Sequence, residues 1–467
     1  MARKTITHFT TKPKTVEERS AAGKALRKKT PIEALGEYKP PAKRTDPVSI
    51  LVEQGKTRLQ DLVPVRYARM LTSPFAFLRG AAAIMASDLA NSKSTGITVQ
   101  ACGDMHVANF GVFASAERKL TFGINDFDET LPGPWEWDLK RLVVSIVVAF
   151  RFLGADDKLA KKAVKEAVKS YRKRMAQYAE KGHLETWYST MTEEDIMESL
   201  PASARKALKK MAGKARERTH MQVVGKLADF VDDKYRLKVS APLIVRETHS
   251  EAGKPIEEAL GLVLESYMKS LADDRKSLLM QYRIVDVVRK VVGVGSVGTR
   301  CWVIFMAGRQ GGDPLFLQVK EAQPSVLAKF VGKSQYSSQG QRVVSGQRLI
   351  QGAPDIFLGW GELNGIHFYI RQLRDMKGGV EFDPATVNFD NSIEYCKLCA
   401  WALALSHAKS GDAVMLSGYI GKSDELDKAM VKFAFAYADQ NDKDYKALAA
   451  AAKSKRIKVA KPEPVAE

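Results

Sequence analysis

Cysteine is scarce in this chain: 4 among 467 residues, at positions 102, 301, 396 and 399, too few and too scattered for the disulfide framework of a small secreted scaffold. Two of them form the C-x-x-C of "SIEYCKLCAWALALSHA". No second C-x-x-C and no histidine pair stands near it, so within an apolar helical pattern it reads as two buried thiols rather than a zinc or redox site. Long hydrophobic runs are missing as well. The longest, "LVVSIVVAF" at 142–150, falls short of the roughly 18–20 residues that span a bilayer. The N-terminal "MARKTITHFTTKPK" carries basic residues with no apolar core behind them, which is not the plan of a secretory signal, and the expected location is the cytoplasm. Negative charge is in deficit, with 54 Asp and Glu against 73 Lys and Arg and a net charge of +19. Residues 1–44 hold twelve Lys/Arg against four Asp/Glu, and residues 452–467 hold five against two. Such ends suit weak electrostatic contact with nucleic acid or acidic surfaces. Base reading would need zinc knuckles or aromatic stacking signatures, and none is present.

What is present divides into stretches. Residues 1–45, rich in Lys and Pro, are expected to be a flexible basic arm, mobile or loosely docked, and 451–467 a basic tail. Residues 46–152 read as short helices broken at Pro64 and Pro74, then two strands, "GITVQACGD" and "LTFGINDFDE", each ending in acids. Helical spacing follows over 153–282. At 283–380 the pattern turns to β, with "IVDVVRKVVGVGSVGTRCWVIFMAG", a "RQGGDP" turn, "LFLQVKEA", a short helix, and the strand pair "DIFLGWGELNGIHFYIRQL". Residues 381–450 return to helix. The expected class is α+β, a large helical portion with a small antiparallel sheet lobe.

The chemistry concentrates in three places. In "CGDMHVANFG" Asp104 and Asn109 share one tight loop after a strand. There Asp104 suits a base that orients or deprotonates a hydroxyl, and the Asn109 oxygen suits a Mg²⁺ ligand. Asp126, at the end of the next strand, is the second expected metal carboxylate, with Asp128 and Glu129 in support. The competing reading is a polar hairpin whose Asp and Asn cap turns. His106 reads first as a loop-bracing hydrogen-bonder and second as a catalytic group; Asp138 reads as a fastener of the following helix. In "VVGVGSVGTRCW" Gly293, Gly295 and Gly298 have G-x-G-x-x-G spacing. Strand, not helix, follows them, so these glycines and Ser296 suit a hairpin over phosphates rather than a dinucleotide fold. In "LFLQVK" the alternation puts Lys320 on the face of Phe316 and Gln318 and points it into a cleft, where, with the glycine hairpin before it, it suits a phosphate contact; the competing reading is a solvated charge at a strand end. Arg371 reads as structural, and the backbone near Gln372 and Leu373 as a hinge that meets an adenine.

These residues resemble the protein-kinase-like superfamily, especially its aminoglycoside and choline phosphotransferase branch, whose loop reads G-D-x-H-x-x-N followed by a strand and D-F-D/E; here those positions are Gly103, Asp104, His106, Asn109 and Asp126 to Asp128. The stretches "SPFAFLRGAA", "GDMHVANFG", "NDFDETLPGPWEWDLKRL", "VKEA" and "YIRQLRDMKG" resemble more closely a bacterial family, domain of unknown function 2252, which carries no established substrate. The resemblance implies a two-lobed kinase-like fold and a phosphotransferase using ATP and Mg²⁺ on a hydroxyl of a small molecule or protein. In that resemblance the glycine loop and lysine come before the catalytic loop, whereas here they come after it, which implies circular permutation. The usual glutamate partner of the lysine is also missing: no Asp or Glu occurs from Ala322 to Pro354, so that the pair is either replaced by Glu321, Gln341 or Gln347 or does not exist. Two other readings are a nucleotide-binding pseudokinase or scaffold, and a metallophosphoesterase built on the D-x-H of "GDMH". The latter lacks its further histidine motifs, since His183, His220, His249, His367 and His407 stand in none of them.

Overall fold

The computed structural model describes residues 9–461 except 218–223, 226, 232–233, 251–252, 292, 310–312, 353, 374–377 and 381. Part of the "RQGGDP" turn and of "RQLRDMKG" therefore lies outside the described residues. Four short strands come first: β1 (Thr98–Ala101), β2 (Phe110–Ala114), β3 (Leu120–Ile124) and β4 (Leu131–Pro134). β1 pairs antiparallel with β4, Ala101 opposite Leu131, and β2 with β3, Phe110 opposite Ile124. Residues 102–109 and 125–130, the links between these two ladders, must then run side by side. The two acidic motifs are neighbours by topology.

Later in the chain come β5 (Ala228–Val231), β6 (Lys234–Leu237), β7 (Ile244–Val245), β8 (Arg283–Lys290), β9 (Cys301–Ala307), β10 (Pro314–Glu321), β11 (Gly359–Leu363) and β12 (Ile366–Gln372). Six of them form an antiparallel sheet in the order β11-β12-β10-β9-β8-β7. Alternation in β10 works as the sequence suggests. Leu315, Leu317 and Val319 pack with Ile256, Leu260, Val263 and Tyr267 of the Ile256–Met268 helix. On the opposite face Phe316 stacks on Phe305 at 4.7 Å, and Lys320 lies on that side between Cys301 of β9 and Tyr369 of β12. β11 and β12 are joined by Asn364 and Gly365 at φ 52° and 77°, the left-handed pair that a two-residue type I′ hairpin turn requires.

The Trp135–Phe152 helix lies buried through most of its length, ringed by the helices Asp157–Ala179, Phe389–Ser410 and Glu425–Lys453 in one continuous core. Its first turns bury four charged side chains, Glu136, Asp138, Lys140 and Arg141. Glu136 accepts the Thr95 amide at 2.9 Å; the roles of Asp138 and Arg141 belong to the site below.

Three expectations are corrected. The stretch 153–282 is not wholly helical, since β5, β6 and β7 fall within it. "ADFV" and "KYRL" pair antiparallel, and β7 joins the edge of the main sheet beside β8. The 1–45 stretch is docked over its described part. Thr15 and Glu18 form a capping box that starts the Val16–Ala25 helix. Gly23 lies so close to the Ala413–Ile420 helix that a Cβ would stand 1.9 Å from the Met415 carbonyl oxygen, and Arg44 forks onto Asp88 and Asp444 at 2.7 and 2.6 Å. Composition hid this because a few fitted contacts outweigh a polar average. The tail is likewise held as far as it is described: Ile457 is buried, and the Ala460 amide donates to the Pro64 carbonyl at 3.1 Å. No helix among the described residues is long and apolar enough to cross a membrane, and the four cysteines are buried free thiols.

Candidate functional site

The loop after β1 is anchored from below. Asp138, in the first turn of the Trp135–Phe152 helix, accepts the amides of Cys102 at 2.6 Å and Gly103 at 2.9 Å. Its carboxylate also lies 3.5 Å from His407 Nε2, and His407 Nδ1 is held by the Tyr171 hydroxyl at 2.8 Å. Gly103 sits at φ 80°, and a Cβ there would stand 2.7 Å from the Glu129 carbonyl oxygen. Only glycine allows both the left-handed turn and the close passage of the two acidic loops.

Asp104 projects from that turn. Arg141 grips its Oδ1 from two nitrogens, Nε at 2.7 Å and Nη2 at 2.5 Å, and Arg141 is itself held by the Leu78 carbonyl at 2.8 Å. Oδ2 is left facing Gly295, where a Cβ would come within 3.8 Å. His106 Nε2 lies 3.8 Å from that carboxylate. The imidazole is buried and its Nδ1 has no hydrogen-bond partner; burial, with Arg79 and Arg141 near, pushes its pKa down to about 3. It is a neutral packing group beside Asp104.

Asn109 joins the two loops. Its Nδ2 donates to the carbonyls of Asp104 and Asp126, both at 3.1 Å, and its Oδ1 accepts the Asp126 amide at 2.8 Å. The amide expected as a metal ligand thus works as a buried brace, with one lone pair of Oδ1 uncommitted.

Asp126 and Asp128 face the sheet lobe. Lys320, only 2% exposed, donates to Asp128 Oδ2 at 2.5 Å although the two are 192 residues apart in sequence, and its amine lies 3.7 Å from Asp126 Oδ2. Burial works against the ammonium, yet Asp126 and Asp128 hold its pKa well above the usual lysine range. For Asp126 burial also opposes charge, but Lys320 and Arg371 outweigh it and keep the carboxyl below its ordinary range. Asp128 accepts further hydrogen bonds from Ser296 Oγ at 3.0 Å and the Tyr369 hydroxyl at 2.8 Å. Its neighbour Glu129 accepts the Val326 amide at 2.7 Å, and burial raises its pKa to about 7.

None of the three expected substitutes pairs with Lys320. Glu321 turns to Arg300 at 2.9 Å, Gln347 bonds Gln351, and Gln341 stands in the first turn of its helix, where its amide donates to Ser338 Oγ. Asp128, from the acidic loop itself, takes the place. The Gln339–Gln351 helix is tied to the site by Arg342, which the sequence reading passed over. Its guanidinium donates to the carbonyls of Thr130 at 2.6 Å and of Asp128 and Gln323 at 2.8 Å each. Arg371 is also within the site rather than behind it: Nε donates to Gln318 Oε1 at 3.0 Å and Nη1 to the Asn125 carbonyl at 3.2 Å. The signal that could have found Arg371 was period two, since it faces Gln318 across the β10–β12 ladder.

The glycine segment connects β8 to β9, strand to strand, and lies over the acids. Ser296 touches Asp128, Gly295 faces Asp104, and Gly298 packs on Arg58, its carbonyl accepting the Leu59 amide at 2.8 Å. Gly293 is held by its carbonyl, which accepts the Ser296 amide at 3.0 Å, and nothing lies within 4 Å of a Cβ built there. The hinge reading needs correction. The Gln372 amide donates to Asp355 Oδ2 at 2.5 Å and the Leu373 amide to the Phe316 carbonyl at 2.8 Å, so both donors are committed and carbonyls are what remain to meet a base. Gln372 and Arg371 line a small cavity of about 90 Å³ with Ser115, Gln347 and Asp355.

The fit to a divalent ion is partial. Among the described residues no three His, Cys, Asp or Glu side chains are grouped to hold a metal. Asp126, its side chain 44% exposed, keeps carboxylate lone pairs open, whereas those of Asp128 are engaged by three donors. A Mg²⁺ held by one carboxylate, waters and phosphate oxygens suits this set; an all-protein metal cage does not.

No curated protein matches this chain, and no solved structure matches it. A family model, described as "Uncharacterized protein conserved in bacteria (DUF2252)", matches residues 58–451, most of the chain's length; the protein belongs to that family.

Proposed function

We propose that the protein is a Mg²⁺- and ATP-dependent phosphotransferase acting on a hydroxyl group. The observation that carries this reading is the meeting of the Lys320 ammonium with the Asp126 carboxylate at 3.7 Å, beside a loop that presents Asp104 and under a glycine-bearing strand connection. A lysine clamp, a metal carboxylate, a hydroxyl-orienting carboxylate and a backbone cover are the parts that phosphoryl transfer needs, because its catalysis is positioning and charge neutralisation. In this reading Lys320 and Arg371 neutralise phosphate oxygens, Asp126 holds the ion, and Asp104 Oδ2, with Oδ1 fixed by Arg141, orients the acceptor hydroxyl. Asn109 acts by holding the Asp104 and Asp126 backbones at one spacing. The antiparallel lobe in which the lysine strand sits between the glycine connection and a strand pair supports a permuted kinase-like arrangement.

Titration calorimetry with Mg-ATP tests this. Wild type is expected to bind in a Mg²⁺-dependent manner and to hydrolyse ATP slowly, while Asp126→Ala loses at least tenfold in affinity. Absence of Mg-dependent nucleotide binding in wild type sinks the proposal. The direct Lys320–Asp128 pair favours a second reading, a nucleotide-binding pseudoenzyme, because phosphates must displace Asp128 to reach the lysine. Binding without transfer to any acceptor in a cell extract supplied with labelled ATP would select it.

A further inference from the structure

On the Asp104 side of the glycine segment stands an arginine with nothing to hold. Arg79 stands in the last turn of the short Pro74–Gly80 helix, whose Leu78 carbonyl anchors Arg141. Its carbonyl oxygen would lie 3.3 Å from a Cβ on Gly295, the same residue that faces Asp104 Oδ2. The side chain is half-buried, its Nε is buried without a hydrogen-bond partner, and it makes no ion pair among the described residues. Burial disfavours its charge and Asp104 supports it only from a distance, with no hydrogen bond or ion pair between them, since Arg141 grips that carboxylate. Two more arginines stand nearby with unmet donors. Arg58, under Gly298, leaves Nε unpaired, and Arg66 leaves Nε and Nη1 unpaired; both are buried. Burying guanidinium N–H groups unpaired costs free energy, and groups kept so beside a reactive carboxylate are candidates for ligand contact. The nucleotide side has its own cations, Lys320 and Arg371, around Asp126 and Asp128.

We propose that Arg79 binds an anionic group of the acceptor, so that the substrate is a hydroxyl compound bearing a phosphate or carboxylate rather than a neutral or cationic one. This rests on the phosphotransferase reading for its chemistry, but the anion site stands on its own geometry. An aminoglycoside-like polycation would meet Arg79 and Arg141 with like charge, which costs affinity.

The test is calorimetric titration of the full chain with three anionic probes (glucose 6-phosphate, glycerol 3-phosphate and malate), with glucose as a neutral probe and kanamycin as a cationic one. Each is run with and without Mg²⁺ and a non-hydrolysable ATP analogue. At least one anion is expected to bind tenfold or more tightly than glucose and kanamycin. Arg79→Gln is expected to erase that preference and Arg79→Lys to keep part of it, with melting curves confirming that both fold. Equal binding of all probes, no Arg79-dependent binding of any anion, or a preference that survives in Arg79→Gln overturns the proposal. A tenfold loss of ATP-analogue affinity in Arg79→Gln also overturns it, by assigning the arginine to the nucleotide. If the analogue fails to bind wild type while the Arg79-dependent preference persists, the phosphotransferase reading falls and the anion site stands.

Discussion

Lys320 shows how one residue can join distant parts of the chain. Its ammonium is buried and Asp128 is three-quarters covered, so removing either charge alone leaves the other poorly compensated. Lys320→Met is expected to cost about 2–4 kcal/mol, below the full cost of breaking a wholly buried pair because Asp128 keeps some solvent. The double variant with Asp128→Asn should recover part of that, measured as the coupling energy in urea unfolding. His106 gives a pH signature. Its pKa falls from the ordinary 6.5 to about 3 in the fold, so both states are neutral above 6.5 and the contribution to stability is complete there. Between about 6.5 and 3 the unfolded chain takes up a proton that the folded one refuses, and stability is lost at about 1.4 kcal/mol per pH unit. His106→Gln should flatten the unfolding free energy against pH between 6 and 4 by up to that slope. An unchanged slope would place the imidazole in contact with solvent.

The element that orders the site is the Gln339–Gln351 helix, through Arg342. The side chain is 2% exposed and serves three carbonyls, two of them in the acidic loop. Arg342→Met orphans those acceptors, and at about 1 kcal/mol or more for each unmet buried group the loss is about 3–4 kcal/mol. Hydrogen exchange should accelerate together in residues 126–131 and in the helix; acceleration in the helix alone would show that Arg342 does not couple them. At this scale strands were legible where apolar alternation met a turn signal, as in β8 to β12. The adjacency of the acidic loops was legible only as two strands ending in acids, because strand pairing is a matter of topology. The Lys320 partner was misplaced for a related reason: residues near the lysine in sequence give no sign that Asp128, 192 residues earlier, reaches it first. Arg342 was passed over because an arginine in a helix usually reads as a solvated charge.

For the whole molecule, early and late segments of the described residues close the fold together. Val48, Leu51, Tyr67 and Met70 pack with Leu448, Ala451 and Ile457 of the C-terminal helix and its extension, and Asp46 pairs with Arg456 at 2.5 Å. The pivot is Arg44, in the stretch that composition marked as a flexible arm. It donates to Asp88 from Nε and Nη2, both at 2.7 Å, and to Asp444 from Nη1 at 2.8 Å and Nη2 at 2.6 Å. The two carboxylates are 3% and 4% exposed; the Tyr437 hydroxyl and Gln440 amide add neutral donors at 2.8 Å each. Without the guanidinium, two buried carboxylates would share a dry site with only neutral donors and no compensating charge. Arg44→Met is therefore expected to lower stability by about 3–5 kcal/mol. The exposed pair of Arg27 with Glu425, at 3.8 Å, should give less than about 1 kcal/mol when its carboxylate is replaced in Glu425→Gln. Measuring both by urea unfolding separates a structural clamp from surface charge. If the Arg44 and Glu425 variants lose the same small amount, the N-terminal segment is a passenger on the fold after all.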